Sequence, residues 1–249
     1  MSKGIFRFYE ELNDFLPKHR RKTTFEAGFK GKRSIKDMIE SLGVPHTEID
    51  LILVNGKSVD FNYIIQDGDR ISVYPVFESL NITNVTLLRK VPLRGHKYIA
   101  DVNLGNIVKY MRVLGFDLYY DPLLSTRKII EISKRENRII LTKSKKLLKF
   151  KDVTHGIFIR PGTAKEQIRR IIEYLDIKDN IKPFSRCLRC NTLLKSVAKE
   201  KILDRIPPKT KKFCDEYVQC QSCDKIYWKG THFINMEKIV RQILYQTEF

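Results

Sequence analysis

A chain of 249 residues with 42% hydrophobic and 10% aromatic side chains holds enough apolar material for two or three compact modules, which excludes a disordered polymer. Its net charge of +18 is uneven: residues 1–88 carry 12 basic against 12 acidic side chains, 89–180 carry 21 against 10, and 181–249 carry 14 against 7. No apolar run approaches the roughly 18 residues that cross a bilayer, and the start MSKGIFRFYEEL lacks the pattern of a secretory signal. A cytoplasmic protein without a membrane partner is therefore expected, its last two thirds presenting a field suited to a polyanion.

The N-terminal stretch reads as an α+β unit. GIFRFYEEL (4–12) and TFEAGFK (24–30) place apolar and aromatic residues at strand-like intervals. Ser34 with Asp37 three residues on opens a helix that Gly43 ends, and EIDLILV (48–54) runs into Asn55-Gly56, a strong hairpin signal. After the Asp67-Gly68 turn, RISVYPVF (70–77) completes strand, strand, helix, strand, turn, strand, the order of a β-grasp fold, assigned to residues 1–80. Residues 81–96 read as a linker.

Residues 97–180 alternate strands with helices and predict a mainly parallel sheet with helices on both faces. KYIADV (97–102) is a strand reaching Asp101; Leu104, Ile107, Val108, Met111 and Leu114 then share one helix face, and Gly115 stops it. FDLYYD (116–121) returns as a strand, a helix spans about 125–137, and RIILTK (138–143) is apolar enough for burial on both faces. THGIFIR (154–160) is a further strand, and Thr163 with Glu166 caps a helix buried through Ile168, Ile171, Ile172 and Leu175. Ligands in such sheets sit at the carboxyl ends of strands, where Asp101 and Ser144 fall. Lys143, Lys145, Lys146, Lys149 and Lys151, with Arg160, Arg169 and Arg170, read either as a track for a phosphate backbone or as a plain solvated face.

The last segment, 181–249, holds a zinc ribbon and a C-terminal helix. Cys187-x2-Cys190 and Cys220-x2-Cys223 are two knuckles 29 residues apart, each turning two thiolates toward one point, a four-ligand set for structural zinc. A short helix over KSVAKEKILDRI (195–206), ended by Pro207-Pro208, fills the gap. Cys214 reads as a small buried residue or a substitute ligand, and His232 as a structural or surface histidine rather than a ligand. In CQSCDKIYWKGTHF, Tyr227 and Trp228 either stack on bases beside Lys225 and Lys229 or close the ribbon's core.

Several phrases in order carry a family likeness: KYIADVNLGNIVKYMRVLGFDLYY, RIILTKSKKLLK, VTHGIFIR, PFSRCLRCNTLLKSVAKEKILDRIPP and CDKIYWKGTHF. They resemble the PIN-like ribonuclease domains named after the C-terminal region of the mutator-seven exonuclease, bacterial members of which carry a zinc ribbon after the sheet and often a ubiquitin-like domain before it. VNGKSVDFNYIIQDGDRISVYP likewise resembles the ubiquitin-like sulfur carriers, but the chain continues through VFESLNITNVTL where a carrier would end in Gly-Gly, so a scaffold or docking role for a protein partner remains. The nuclease resemblance implies carboxylates holding Mg²⁺ or Mn²⁺ that activate a water. Asp101 matches the first acid. Ser144 stands where the family has an Asp, and Ser125-Thr126-Arg127-Lys128 stands where an acidic helix start is expected. Asp117, Asp121 and Asp152 are the acids left to compensate, Asp121 also reading as turn chemistry. The expectation is an RNA-binding protein engaging structured RNA, ribosomal or transfer RNA, with the ribosome as a candidate partner, through Arg127, Lys128, Lys143, Lys145, Lys146, Lys149, Lys225 and Lys229. An active Mg²⁺- or Mn²⁺-dependent endoribonuclease and a protein-docking scaffold are the alternatives.

Overall fold

The computed structural model describes residues 1–75, 85–88 and 97–245. The linker expected over 81–96 lies outside the described residues except for 85–88, as does the end of RISVYPVF at 76–77.

In β1 (Ser2–Phe8), Gly4, Phe6 and Phe8 are buried while Arg7 is exposed, the period of two that a one-sided sheet needs. The strand does not run on through Glu-Glu-Leu as the sequence suggests. Glu10 turns to φ 42° and a 3-10 helix follows over Glu10–Phe15, setting Leu12 and Phe15 three residues apart on its buried side. Asn13 Nδ2 fastens this turn by donating to Phe8 O and Glu10 O. β2 (Thr24–Phe29) pairs antiparallel with β1. Ser34 caps α1 (Ile35–Ser41) by accepting from Asp37 N at 3.1 Å. β3 (Leu51–Val54) and β4 (Lys57–Ser58) join through Asn55 at φ 50° and Gly56 at φ 80°, the two positive angles of a type I′ turn. β5 (Arg70–Tyr74) lies parallel to β1 and antiparallel to β3, giving the order β2-β1-β5-β3-β4. This mixed sheet, packed on α1 through Phe6, Ile39, Ile52 and Val73, is the expected β-grasp.

The α/β region contains β6 (Lys97–Ala100), α2 (Gly105–Val113), β7 (Asp117–Tyr119), α3 (Thr126–Glu136), β8 (Ile139–Thr142), α4 (Lys145–Leu148), β9 (Gly156–Phe158) and α5 (Ala164–Leu175). β6 pairs with β7 and β8 with β9, both in parallel. All four residues of β8 are buried, as its unalternating apolar run predicts. Both halves of the Thr163–Glu166 capping box on α5 are present.

The ribbon is a three-stranded antiparallel sheet in the order β10-β11-β12, from β10 (Leu194–Ser196), β11 (Tyr217–Cys220) and β12 (Ile226–Trp228), with α6 (Pro208–Phe213) between β10 and β11 and α7 (Thr231–Tyr245) after β12. The single helix expected over 195–206 is not formed. Leu194–Ser196 zips onto β11, a 3-10 helix takes Lys199–Arg205, and Pro208 starts α6 rather than ending a helix, since proline lacks only an N–H that the first turn leaves unused. The described residues divide into two compact units, one from 1–94 and 130–158, the other from 95–129 and 159–249. Among them no helix is long and apolar enough to cross a membrane.

Candidate metal centre and nucleic-acid interface

Each cysteine knuckle is the same local fold. Asn191 N donates to Cys187 O and Asp224 N to Cys220 O, so the chain turns back directly after the second cysteine of each pair. Asn191 (φ 69°) and Asp224 (φ 54°) take the left-handed conformation this turn needs, which Asn and Asp tolerate best among non-glycine residues. The four Sγ atoms lie within 4.8 Å of one another. Three of the separations are 3.2 Å (Cys190–Cys220), 3.6 Å (Cys187–Cys223) and 3.6 Å (Cys190–Cys223). A disulfide requires about 2.05 Å. A tetrahedron of thiolates about 2.3 Å from a central ion has edges of about 3.8 Å, so the set fits a metal ion such as zinc.

The electrostatics of the cluster call for a cation. Burial raises the Cys190 thiol, but hydrogen bonds from Thr192 and the neighbouring thiols outweigh it and bring it to about 6. Cys187 is also lowered: burial opposes this, and the Tyr227 hydroxyl with the Cys190 and Arg189 backbone prevails. Cys223 receives a hydrogen bond from the Lys225 backbone that favours its thiolate, yet burial and the three other sulfurs together push it up to about 12. The Cys190 thiolate is thus favoured, while that of Cys223 is resisted until a divalent ion offsets the repulsion.

A buried cation already backs the site. Arg112 on α2 is 4% exposed; its Nε donates to Leu118 O at 3.1 Å, and its Nη1 donates to Leu188 O at 2.9 Å and Arg189 O at 2.7 Å, both inside the first knuckle. Burial lowers the guanidinium, which Cys187, Cys190, Tyr227 and Asp117 counter. Around it, Asn191 Oδ1 accepts from Leu118 N, Asn191 Nδ2 donates to Asp117 Oδ1, and Arg186 Nε donates to Gly115 O. Tyr227 Oη lies 3.2 Å from Cys187 Sγ and accepts from Leu188 N at 3.1 Å. The knuckle is thus stitched to α2 and β7 of the α/β region. The sequence reading missed Arg112, although it follows Val108 by four residues on the buried face of α2, where an unpaired charge is not tolerated.

The two open aromatic readings separate. Tyr227 turns its hydroxyl onto the cluster and is pushed upward by burial and by Cys187. Trp228 packs against the ribbon core of Ile202, Ile206 and Tyr217, as does Cys214, which lies outside the four-sulfur group. His232 is exposed on α7 and outside that group too.

Asp101 is buried at 6% exposure directly after β6, ahead of the 3-10 turn Val102–Leu104. Ser144 caps α4, its Oγ accepting from Leu147 N at 3.2 Å. The compensating acids are engaged elsewhere: Asp117 with Asn191 and, at 3.5 Å, Arg186; Asp121 with Leu123 N in a turn; Asp152 with Lys134.

The basic residues divide as well. Arg127 and Lys128 are exposed on the first turn of α3, and Lys143, Lys146 and Lys151 are exposed around α4. Lys145 instead lies over the Phe15 and Phe158 rings (4.8 and 5.5 Å), and Lys149 Nζ donates to Glu40 O at 2.6 Å. Lys225 sits over the Tyr227 ring, and Lys229 pairs with Glu216.

Residues 96–240 match the family model of the Mut7-C RNAse domain, and residues 1–81 that of the Mut7-C ubiquitin domain. No curated protein and no solved structure gives a significant match.

Proposed function

Because the chain belongs to the Mut7-C RNAse domain family, we propose that it binds structured RNA, ribosomal or transfer RNA, through its basic surface and cleaves little or none of it. The observation that carries this reading is Ser144. A hydroxyl engaged in capping α4 occupies the position where the family resemblance asks for a carboxylate, and the exposed Arg127 and Lys128 occupy the expected acidic helix start. Magnesium and manganese require several hard oxygen ligands. A basic surround repels such an ion and attracts phosphate. The second reading, a Mg²⁺- or Mn²⁺-dependent endoribonuclease, is favoured by Asp101, held nearly solvent-free at the end of β6.

We assign residues 1–80 to a ubiquitin-like domain open to a protein partner, 81–96 to a linker, 97–180 to the PIN-like domain and 181–249 to the ribbon, in a cytoplasmic protein. Zinc is the ion we assign to Cys187, Cys190, Cys220 and Cys223, since soft thiolates in a tetrahedron select it over Mg²⁺ or Ca²⁺. Its chemistry there is cross-linking, because all four positions are filled by protein. Incubation of the full chain with total RNA and Mn²⁺, wild type beside Asp101→Asn, tests the reading: RNA retained intact by both is expected, and cleavage abolished by the substitution overturns it in favour of the nuclease.

A further inference from the structure

The segment between the two knuckles carries a feature that neither the metal nor the sheet uses. Residues 195–213 hold seven basic side chains (Lys195, Lys199, Lys201, Arg205, Lys209, Lys211, Lys212) against two acidic ones (Glu200, Asp204). At its end Phe213 is 84% exposed, while Lys209 and Lys212 are exposed and Lys211 half-buried on the same short helix α6. Among the described residues no carboxylate pairs with these three lysines. Lys199 by contrast is held by Asp215 at 2.8 Å, and Arg205 donates to Asp224 O.

The exposure is built, because both ends of α6 are fastened. Ile202 and Ile206, in the segment that leads into it, are buried in the ribbon core, and Tyr217, 3% exposed, donates from Oη to Thr210 O (3.2 Å) and Cys214 O (2.9 Å) at its end. The ring is therefore held in solvent on a fixed support that also carries the three lysines. A ring in water beside fixed positive charge complements a ligand with flat π-faces and a regular run of negative charge. We propose that Phe213, with Lys209, Lys211 and Lys212, is a stacking platform for single-stranded RNA, the ring receiving an unstacked base and the lysines its flanking phosphates. This rests on the RNA-binding reading above. An anionic membrane surface shares the charge but would need a longer apolar face than one ring on a six-residue helix offers.

The test is fluorescence anisotropy of the full-length, metal-loaded chain with a labelled single-stranded RNA, the matching RNA duplex, and vesicles containing phosphatidylserine. Phe213→Ala should weaken single-strand binding about tenfold, within the range known for loss of one stacked base, with duplex binding and the thermal midpoint unchanged. Phe213→Trp should bind as wild type does. Lys212→Ala should lower the slope of log K against log salt by about 0.7. If Phe213→Ala binds the single strand as wild type does, the platform is wrong and the RNA reading stands. Equal losses on duplex and single strand, or a loss confined to the vesicles, also overturn it. If the wild-type chain binds no RNA, both readings fall.

Discussion

Arg112 is the residue on which the metal centre and the α/β region meet. Its fork joins Leu118 O, in the middle of β7, to Leu188 O and Arg189 O, the two carbonyls between Cys187 and Cys190. Replacing it with methionine keeps much of the apolar stem and leaves three acceptors without their donor beside a cluster of thiolates. Removing one partner of such a buried charged set costs about 3 kcal/mol. Denaturant unfolding of the metal-loaded chain should register a loss of that order, and competition with a chelator should show metal binding weakened at least tenfold, as when groups that orient ligands are lost. Arg112→Lys should recover only part of either, since one ammonium cannot span three carbonyls set for a planar fork. Full stability and affinity in Arg112→Met would reduce the residue to packing.

At the scale of the element, the ribbon's strands are short: β10 and β12 have three residues each and β11 has four. Three such strands are marginal without a cross-link, and among the described residues their core cluster has Ile202, Ile206 and Tyr217 as its buried members. Chelation should therefore unfold the ribbon. Trp228 is the only tryptophan in the chain and packs on that core, so its emission should move to longer wavelength when metal is removed and return on adding Zn²⁺. Binding must take the proton of Cys223, which stands at about 12 without a metal. At neutral pH zinc uptake should thus release protons, measurable as a dependence of the calorimetric heat on buffer ionisation enthalpy. The sign follows: affinity and the stability it supports fall as pH falls, more steeply below about 6, where Cys190 too is protonated. An unchanged tryptophan spectrum after complete chelation would separate the metal from the fold.

The four-cysteine cluster was legible because a knuckle is local: spacing alone brings its two sulfurs together. Capping at Ser34 and Thr163 and the Asn55-Gly56 hairpin were legible for the same reason. The helix expected over 195–206 failed because strand pairing outside the window decided it, Lys195 lying opposite Gln219 in β11. Proline at 208 then read as a stop when its missing N–H suited a start. Glu10–Phe15 misled in a similar way, since Leu12 keeps the alternation of Phe6 and Phe8 and reads as more strand until Glu10, at φ 42°, breaks it. The capping role of Ser144 was not legible, because α4 is only four residues long and carries no periodic signal.

At the scale of the molecule, the charge pattern has to be read through what each lysine already holds. Within the first unit the segment 145–158 lies against the N-terminal sheet's helices. His46 sits between Glu40 Oε1 (2.6 Å) and Val153 O (2.8 Å), Glu48 accepts from Phe158 N, and the Phe15 and Phe158 rings meet at 5.3 Å. Lys149 belongs to this contact through Glu40 O, and Lys145 through the two rings. Lys146 points to solvent one residue from Lys145. Adjacent lysines of one short helix should therefore behave differently. Lys149→Ala removes a donor from a half-buried carbonyl and should cost about 1 kcal/mol in unfolding, discounted from the charged hydrogen-bond range because the side chain is only half-buried. It should leave the salt dependence of RNA binding nearly unchanged. Lys146→Ala should leave stability unchanged and lower the slope of log K against log salt by about 0.7 to 0.9, the release of one counterion per phosphate contact. Equal effects of the two substitutions on the slope would mean that the docked segment opens to the nucleic acid, and that the neutral first third of the chain yields its place to RNA instead of limiting where RNA can lie.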